Sequence, residues 1–382
     1  MSTKARREYL IAIRERYKKS TKKEKGLILN EYILVCEYNR KYAIKILNGK
    51  IEPRTRKPGP KSRYSPLIDL QLIKLWQDMG KICSKQMKVA IPIWLPFMVG
   101  LDKEIEKLLL SVSPATIDRI LKPHRSKKVK GLSGTKSFIK SRIPIELLHK
   151  DVEKPGFVEG DTVAHCGDAL IGEFVNSLTV TELFTGWTDN RATLGKTAEV
   201  IVGAITSIEK ESPFLFLGYA SDNGSEFLND DLYYYFNQRK NPVKFVRRRP
   251  YKKNDNAHVE QKNNTHVREI FGYERFESLE LVNLMNDIYQ NYWNPLRNNF
   301  IPSMKLKSKE RIGSKVKKKY DAPKTPYQRI MDHPDINPWA KGNLQLKYQK
   351  LNPFTLKREL DRKLNFFYRI VEIEKKKRLT GS

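Results

Sequence analysis

Between Gly156 and Pro250 the apolar pattern changes period, and this change constrains the fold more than any other feature of the chain. "FVEGDTVAH" (157–165) and "EFVNSLTVTELFT" (173–185) carry β-branched residues between turn formers, so both read as strands, and "GWTDNRAT" (186–193) reads as a short third. Residues 196–209 then follow helical spacing. "FLFLGYAS" (214–221) reads as a buried fourth strand, 225–238 as a helix, and "VKFVRRRP" (243–250) as a fifth strand. Two more helices are expected over 257–271 and 276–291. A meander of three strands, followed by strands alternating with helices, predicts an α/β domain with a mixed sheet covered by helices.

Within that frame three acids stand out, two of them where elements begin or end. Asp161 falls inside the first strand, Asp222 at the end of the fourth in "YASDNGSEFLNDD" (219–231), and Glu260 at the start of a helix in "NDNAHVEQKNN" (254–264). If the first and fourth strands are neighbours, Asp161 and Asp222 approach each other and the later helix can bring Glu260 over them. Carboxylates that close repel, so such a site is unfavourable without a cation. Oxygen ligands select Mg²⁺ or Mn²⁺. Two such ions stabilise the entering and leaving oxygens of a phosphoryl displacement.

Each acid taken singly also reads as a turn cap. Asp168, Glu226, Asp230, Asp231 and Asp255 are read that way, with Glu226 close enough to the three to serve as a fourth, outer acid. Asn223 and Gly224 serve the turn, the glycine permitting close backbone approach. His258 reads equally as a phosphate contact or a surface histidine. Lys262 and His266 share a helix face, and Lys262 reads either as a phosphate contact or as a solvated lysine. Arg247, Arg248 and Arg249 form a basic edge after the fifth strand and read as a phosphate clamp.

The region before the sheet is helical. Residues 1–19 are basic and amphipathic, and "TKKE" (21–24) has the form of a capping box ahead of Leu27, Ile28, Tyr32 and Val35. A break at Glu37-Tyr38 precedes Asn39, an N-cap for the helix 40–47. This second helix carries Arg40, Lys41 and Lys45 outward, with Tyr42, Ile44, Ile46 and Leu47 able to reach a core. The unit 1–49 is read as a helix-turn-helix DNA reader or as any small helical hairpin. The basic, proline-rich 50–63 is a linker. The unit 64–122 holds a helix with Leu67, Leu70, Leu72, Ile73, Leu75 and Trp76, another around 85–91, and "SVSPATIDRILK" with Ser113 as N-cap and Pro114 at the first helical position. That last helix projects Thr116 and Arg119 and is a second candidate reader of DNA. A basic linker follows over 123–150, the sheet domain is bounded at 151–300, and 301–382 is a basic C-terminal region. Its "KLKSKERIGSKVKKKY" precedes a helix with Leu356, Leu360, Leu364, Phe367 and Val371 in phase; this region binds DNA or mediates self-association.

Charge narrows the partners. Lys and Arg number 73 against 43 Asp and Glu, a net +30, which self-repels unless a polyanion neutralises it. Double-stranded DNA is the leading partner and an anionic membrane surface the second. Cys36, Cys83 and Cys166 are far apart and the six histidines scattered, which disfavours a structural zinc site. No apolar run reaches the length of a membrane span and no signal-peptide core is present, so a soluble, intracellular protein is expected.

At this point the residues carry a resemblance. "VEGDTVAH", "LTVTELFTGWT", "SDNGSEF" and "NDNAHVEQKNN" resemble the integrase-type catalytic core of insertion-sequence transposases, a ribonuclease H-like fold with an Asp-Asp-Glu triad. The spacing of 37 residues between Asp222 and Glu260 is slightly longer than the family's. The stretch 157–300 carries the match, the helical units and the tail are similar to the flanking regions of such proteins, and the paired His and Cys of retroviral integrases are missing. The resemblance implies a DNA transposase that binds terminal repeats. Asp161, Asp222 and Glu260 would be its catalytic residues and the ligands of two Mg²⁺ or Mn²⁺ ions for cleavage and strand transfer. It would act as at least a dimer, in the cytoplasm at a prokaryotic nucleoid. The alternatives are a catalytically silent site-specific DNA-binding protein and a ribonuclease H-like nuclease without strand transfer.

Overall fold

The computed structural model describes residues 3–49, 66–125, 143–144, 152, 154–222, 224, 226–247, 261–312 and 315–380. They divide into two units, Met1–Arg63 and Tyr64–Ser382. No helix among the described residues is long and apolar enough to cross a membrane.

The first unit is three helices: α1 (Thr3–Lys19), α2 (Lys22–Cys36) and α3 (Arg40–Asn48). The capping box forms as its sequence dictates, Glu24 Oε2 accepting from Thr21 N at 2.8 Å. Glu37 then takes left-handed backbone (φ 55°) and Asn39 caps α3 through the Lys41 amide at 2.9 Å. The buried face differs by phase from the expected one. Ile28, Leu29, Tyr32 and Cys36 point inward with Ile13, Tyr17, Ala43 and Leu47, while Leu27, Val35, Tyr42 and Ile44 are exposed. On α3 only spacing of four meets the other two helices at one line, so Ala43 and Leu47 take the contact and their larger neighbours do not.

The second unit is built on a five-stranded sheet of order β3-β2-β1-β4-β5. Its strands are β1 (Phe157–Ala164), β2 (Val175–Glu182), β3 (Thr188–Leu194), β4 (Gly218–Ser221) and β5 (Lys244–Arg247). The β1–β2 and β2–β3 pairs are antiparallel, and β1–β4 and β4–β5 parallel, so this is the expected α/β mixed sheet. The fourth strand has half its expected length. Gly218 pairs with Phe157, the first residue of β1, so Phe214 and Phe216 have no neighbouring strand to meet and are buried outside the ladder.

Helices α4 (Pro66–Asp78), α5 (Ser84–Trp94), α6 (Lys103–Ser111), α7 (Pro114–Leu121), α8 (Ala198–Glu211) and α9 (Asp230–Asn237) follow in chain order. After β5 come α10 (261–271, with a π segment over Asn263–Arg268) and α11 (Leu279–Ile288), which passes through a second π segment (Tyr289–Trp293) into α12 (Asn294–Phe300). The C-terminal helices are α13 (Pro326–Asp332), α14 (Pro338–Gln349) and α15 (Pro353–Thr380).

One sheet face packs Val158, Leu178, Val180 and Tyr219 on Ile201, Ile205 and Ile208 of α8 and Leu232 and Phe236 of α9. The other lies against α10 to α12. Helices α4 to α7 do not stand apart: Ile68, Leu72, Met87, Trp94, Ile117 and Leu121 share one core with Phe271, Met285, Phe300 and the α15 residues Leu360 and Phe367. Trp94 Nε1 donates to Phe300 O at 3.1 Å.

β3 is an outer strand, and its outward backbone groups need partners. Asparagines of α11 and α12 supply them. Asn286 exchanges two hydrogen bonds with the Ala192 backbone (2.8 and 2.9 Å), Asn298 two with Thr188 (3.0 and 2.9 Å), and Asn294 donates to Asn190 O at 3.4 Å.

The lysine-rich tail forms an antiparallel ribbon, β6 (Leu306–Ile312) and β7 (Lys315–Tyr320), with Lys307, Lys317, Lys318 and Lys319 exposed. Its base is held by Asp321, which accepts from Lys305 N at 2.5 Å and from Arg329 Nη2 at 3.1 Å. Buried Arg329 also donates to Ser303 O, Lys324 O and Thr185 O, binding the ribbon base to the β2–β3 turn.

Candidate metal and nucleic-acid site

Asp161 and Asp222 follow directly on Gly160 and Ser221, which are register partners in the parallel β1–β4 pair. Neighbouring strands lie about 4.8 Å apart, and alternation puts residues of equal parity on one face. Both aspartates therefore extend from the face of Glu159 and Ala220, Asp161 within β1 and Asp222 immediately past the end of β4. Their approach depends on Gly160, since a Cβ there would fall 1.8 Å from Tyr219 Oη.

Each carboxylate is oriented locally. Asp161 Oδ1 accepts from Thr162 N at 2.9 Å, and its Oδ2 accepts from Asn263 Nδ2 of α10 at 2.7 Å. Asp222 Oδ1 accepts from Gly224 N at 2.9 Å. A Cβ on Gly224 would lie 3.0 Å from Asp222 Oδ1 and 2.6 Å from Glu226 Oε2, so a side chain at 224 would fill the space where these two carboxylates converge. Glu226 itself is buried, accepts from Thr162 Oγ1 at 3.1 Å and is paired with Lys196 at 3.3 Å. It is no solvated turn residue, as its sequence position suggested. Only the fold brings β1 to it.

The donor set suits a hard divalent cation: carboxylate oxygens, with no thiol or imidazole between them. Among the described residues no three His, Cys, Asp or Glu side chains form a ready metal cluster. Glu260, together with Asn223, Arg248, Arg249, Asp255 and His258, lies outside the described residues.

On α10, Lys262 is half-buried rather than solvated, its Nζ 3.4 Å from Gly186 O in the β2–β3 turn. Burial, with Arg297 and Arg329 nearby, lowers its pKa to about 7. His266 is 1% exposed, and burial holds it neutral, well below the usual histidine range. Its ring lies 6.0 Å from that of Trp293, whose face Arg297 covers at 5.4 Å. His165, also buried, bonds Ser177 Oγ at 2.8 Å and is pushed down to about 3 by burial.

The other sequence-identified residues are spread widely. Arg247 does not face outward as a clamp: it is buried, and its Nε donates to Ile143 O at 2.8 Å because β5 is an outer strand against which 143–144 pack. Arg40, Lys41 and Lys45 lie exposed on α3 of the first unit, with Arg40 donating to Asn30 Oδ1 at 2.7 Å. Arg119 is exposed on α7, whereas Thr116 is half-buried, its amide bonded to the Ser113 cap. Asp168 is exposed, and Asp230 and Asp231 sit in the first turn of α9, as cap-type residues do.

No protein-family model matches the chain. It is 34% identical over 342 residues to the uncharacterized protein y4rM of Sinorhizobium fredii (strain NBRC 101917 / NGR234), which takes in 86% of this chain and 96% of that protein. Among solved structures it is similar to a chain in the simian T-cell lymphotropic virus intasome in complex with PP2A regulatory subunit B56 gamma. That match has 12% identity and a TM-score of 0.26, and it spans 46% of this chain and 57% of the other; a likeness this slight carries no argument.

Proposed function

The chain belongs to the same family as the y4rM protein, and from the arrangement of its own residues we propose that it is a DNA transposase of ribonuclease H-like fold. The observation that carries this reading is the parallel β1–β4 register, which sets Asp161, inside β1, beside Asp222, just past the end of β4. The antiparallel meander followed by two parallel strands supports the fold assignment.

In this reading Glu260 is the third acid. Three residues later in sequence Asn263 donates to Asp161, which supports bringing the start of α10 to the site. Asp161, Asp222 and Glu260 would hold Mg²⁺ or Mn²⁺, which when bound supplies the charge that stabilises the entering and leaving oxygens of phosphoryl transfer. The chain's own groups prepare the site. Asn263 and the Thr162 amide fix the Asp161 carboxylate, the Gly224 amide fixes Asp222, and Lys196 offsets the charge of Glu226 beside them. The exposed basic residues of α3, Arg119 and the lysines of β6–β7 face the DNA phosphates, and two copies act on the two element ends.

Asp222→Asn tests the assignment. Strand cleavage and joining with Mg²⁺ should disappear while binding of element ends, measured by gel shift, stays within about twofold, since the lost group acts on chemistry and not on end recognition. Loss of binding together with cleavage would make Asp222 a structural residue. Cleavage without joining of a pre-cut end by the wild type would refute transposition.

A further inference from the structure

Two π-helical segments meet through Trp293 and His266: Asn263–Arg268 in α10, which reaches Asp161 by Asn263, and Tyr289–Trp293 leading into α12. Such segments are over-represented at functional sites. α10 presents Lys262 and His266 one turn apart, and the opposite segment presents Trp293 and Arg297 one turn apart. Trp293 joins them, its Nε1 donating to His266 O at 2.9 Å and its ring lying under the Arg297 guanidinium. Two cations and a buried imidazole thus converge. Lys262 is next in sequence to Asn263, which touches Asp161.

In this cluster the imidazole is the group left without partners: both ring nitrogens of His266 are buried and unbonded. Beside it Lys262 has a long contact with Gly186 O, and half-buried Arg297 lies on the Trp293 face with the Glu269 carboxylate as its charge neighbour. The other inward-facing arginines of this unit are matched. Arg329 has acceptors on Ser303, Lys324 and Asp321, Arg191 on Ser207, Asn190 and Glu211, and Arg268 on Gly272 and Ala164. An unmatched buried donor costs about 1–3 kcal/mol, so a buried imidazole left unbonded between two half-buried cations suits an anion that supplies the missing oxygen.

We propose that Lys262, His266 and Arg297 form a pocket for one phosphate group of the DNA backbone, with Arg297 its principal ligand. The guanidinium fork meets two non-bridging oxygens at once, the ammonium adds a point charge, and the neutral imidazole donates its one N–H. Seating a phosphate there holds the strand in register with the neighbouring Asp161 and Asp222. This inference rests on the reading of DNA as substrate, and its test separates the two.

Thermal unfolding of the full chain in sodium phosphate, against sodium chloride at matched ionic strength, reads the pocket alone. Wild type gains several degrees in phosphate through linkage; Arg297→Gln loses that gain, and Arg297→Lys, which keeps the charge and controls for folding, retains part of it. A second arm measures Mg²⁺-dependent cleavage of duplexes carrying the sequences that flank the coding region, with one neutral methylphosphonate replacing each backbone phosphate in turn. One position should slow the wild type about 100-fold, the scale of losing one oriented donor pair, and cost Arg297→Gln nothing further. If wild type fails to cleave but Arg297→Gln abolishes the phosphate gain, the pocket stands and the transposase reading falls. If wild type cleaves while Arg297→Gln keeps the phosphate gain, or shows the wild-type penalty at every position, the pocket falls.

Discussion

Gly160 is the tightest point beneath the proposed site, and Gly160→Ala gives a worked prediction. The added Cβ would stand 1.8 Å from Tyr219 Oη, 2.5 Å from its Cζ and 3.2 Å from Cε1. The ring cannot swing aside: Tyr219 is fully buried, with Phe236, Phe245 and Phe227 centroids at 4.8, 6.0 and 6.4 Å. Either the ring or β1 must retreat by more than an ångström, and overpacking of this kind costs about 1–3 kcal/mol. If β1 yields, Asp161 moves with it, and a displacement near 1 Å costs about 100-fold in rate. Urea unfolding and cleavage kinetics measure the two effects. Tyr219→Phe removes the oxygen but leaves the ring tip at the 2.5 Å contact, so it should rescue the alanine variant only in part. A Gly160→Ala protein within about 0.5 kcal/mol of wild type, or an equal penalty in both backgrounds, would refute the reasoning.

Two further outcomes concern stability. Asn298→Ala strips the partners from a buried amide and carbonyl of Thr188 and should cost about 2–4 kcal/mol in urea unfolding; Asn298→Asp, which keeps only the acceptor, should not rescue it. His165 binds its proton in the unfolded chain near pH 6.5 but in the fold only at about 3, so between these values the unfolded state holds more protons and stability falls as pH falls. The lost stability from His165 is about 1.4 kcal/mol per pH unit below 6.5. Unfolding free energies at pH 6.5, 5.8 and 5.0 should therefore decline less steeply for His165→Leu than for wild type, and parallel declines would show that the histidine is not held neutral.

Local signals were legible because they act within a few residues. Thr21 and Glu24, Asn39, and Ser113 with Pro114 fixed helix starts whatever the tertiary context, and strand periodicity gave the mixed sheet, whereas the neighbouring of β1 and β4 was a condition that only their pairing in the fold meets. Phase and partnership were less so. Leu27, Val35, Tyr42 and Ile44 are apolar enough for a core, yet a three-helix unit closes on a single line of contact and leaves them outside. The length of β4 depends on where β1 begins, sixty residues earlier in the chain. Arg247 looked like part of a surface run, and only the packing of 143–144 turns it inward. Arg297 carried no signal: it sits in an ordinary helical stretch, and its meaning comes from facing Lys262 and His266. Asn286, Asn294 and Asn298 could have been read as one helical stripe of amides, a hint that a bare backbone edge lies opposite.

The Arg329 clamp has a mechanical consequence. Its single side chain joins the base of the β6–β7 ribbon to Thr185, one residue from Gly186, where Lys262 touches the turn. A load on the ribbon's lysines therefore has a route, through this one arginine, to the turn against which Lys262 rests.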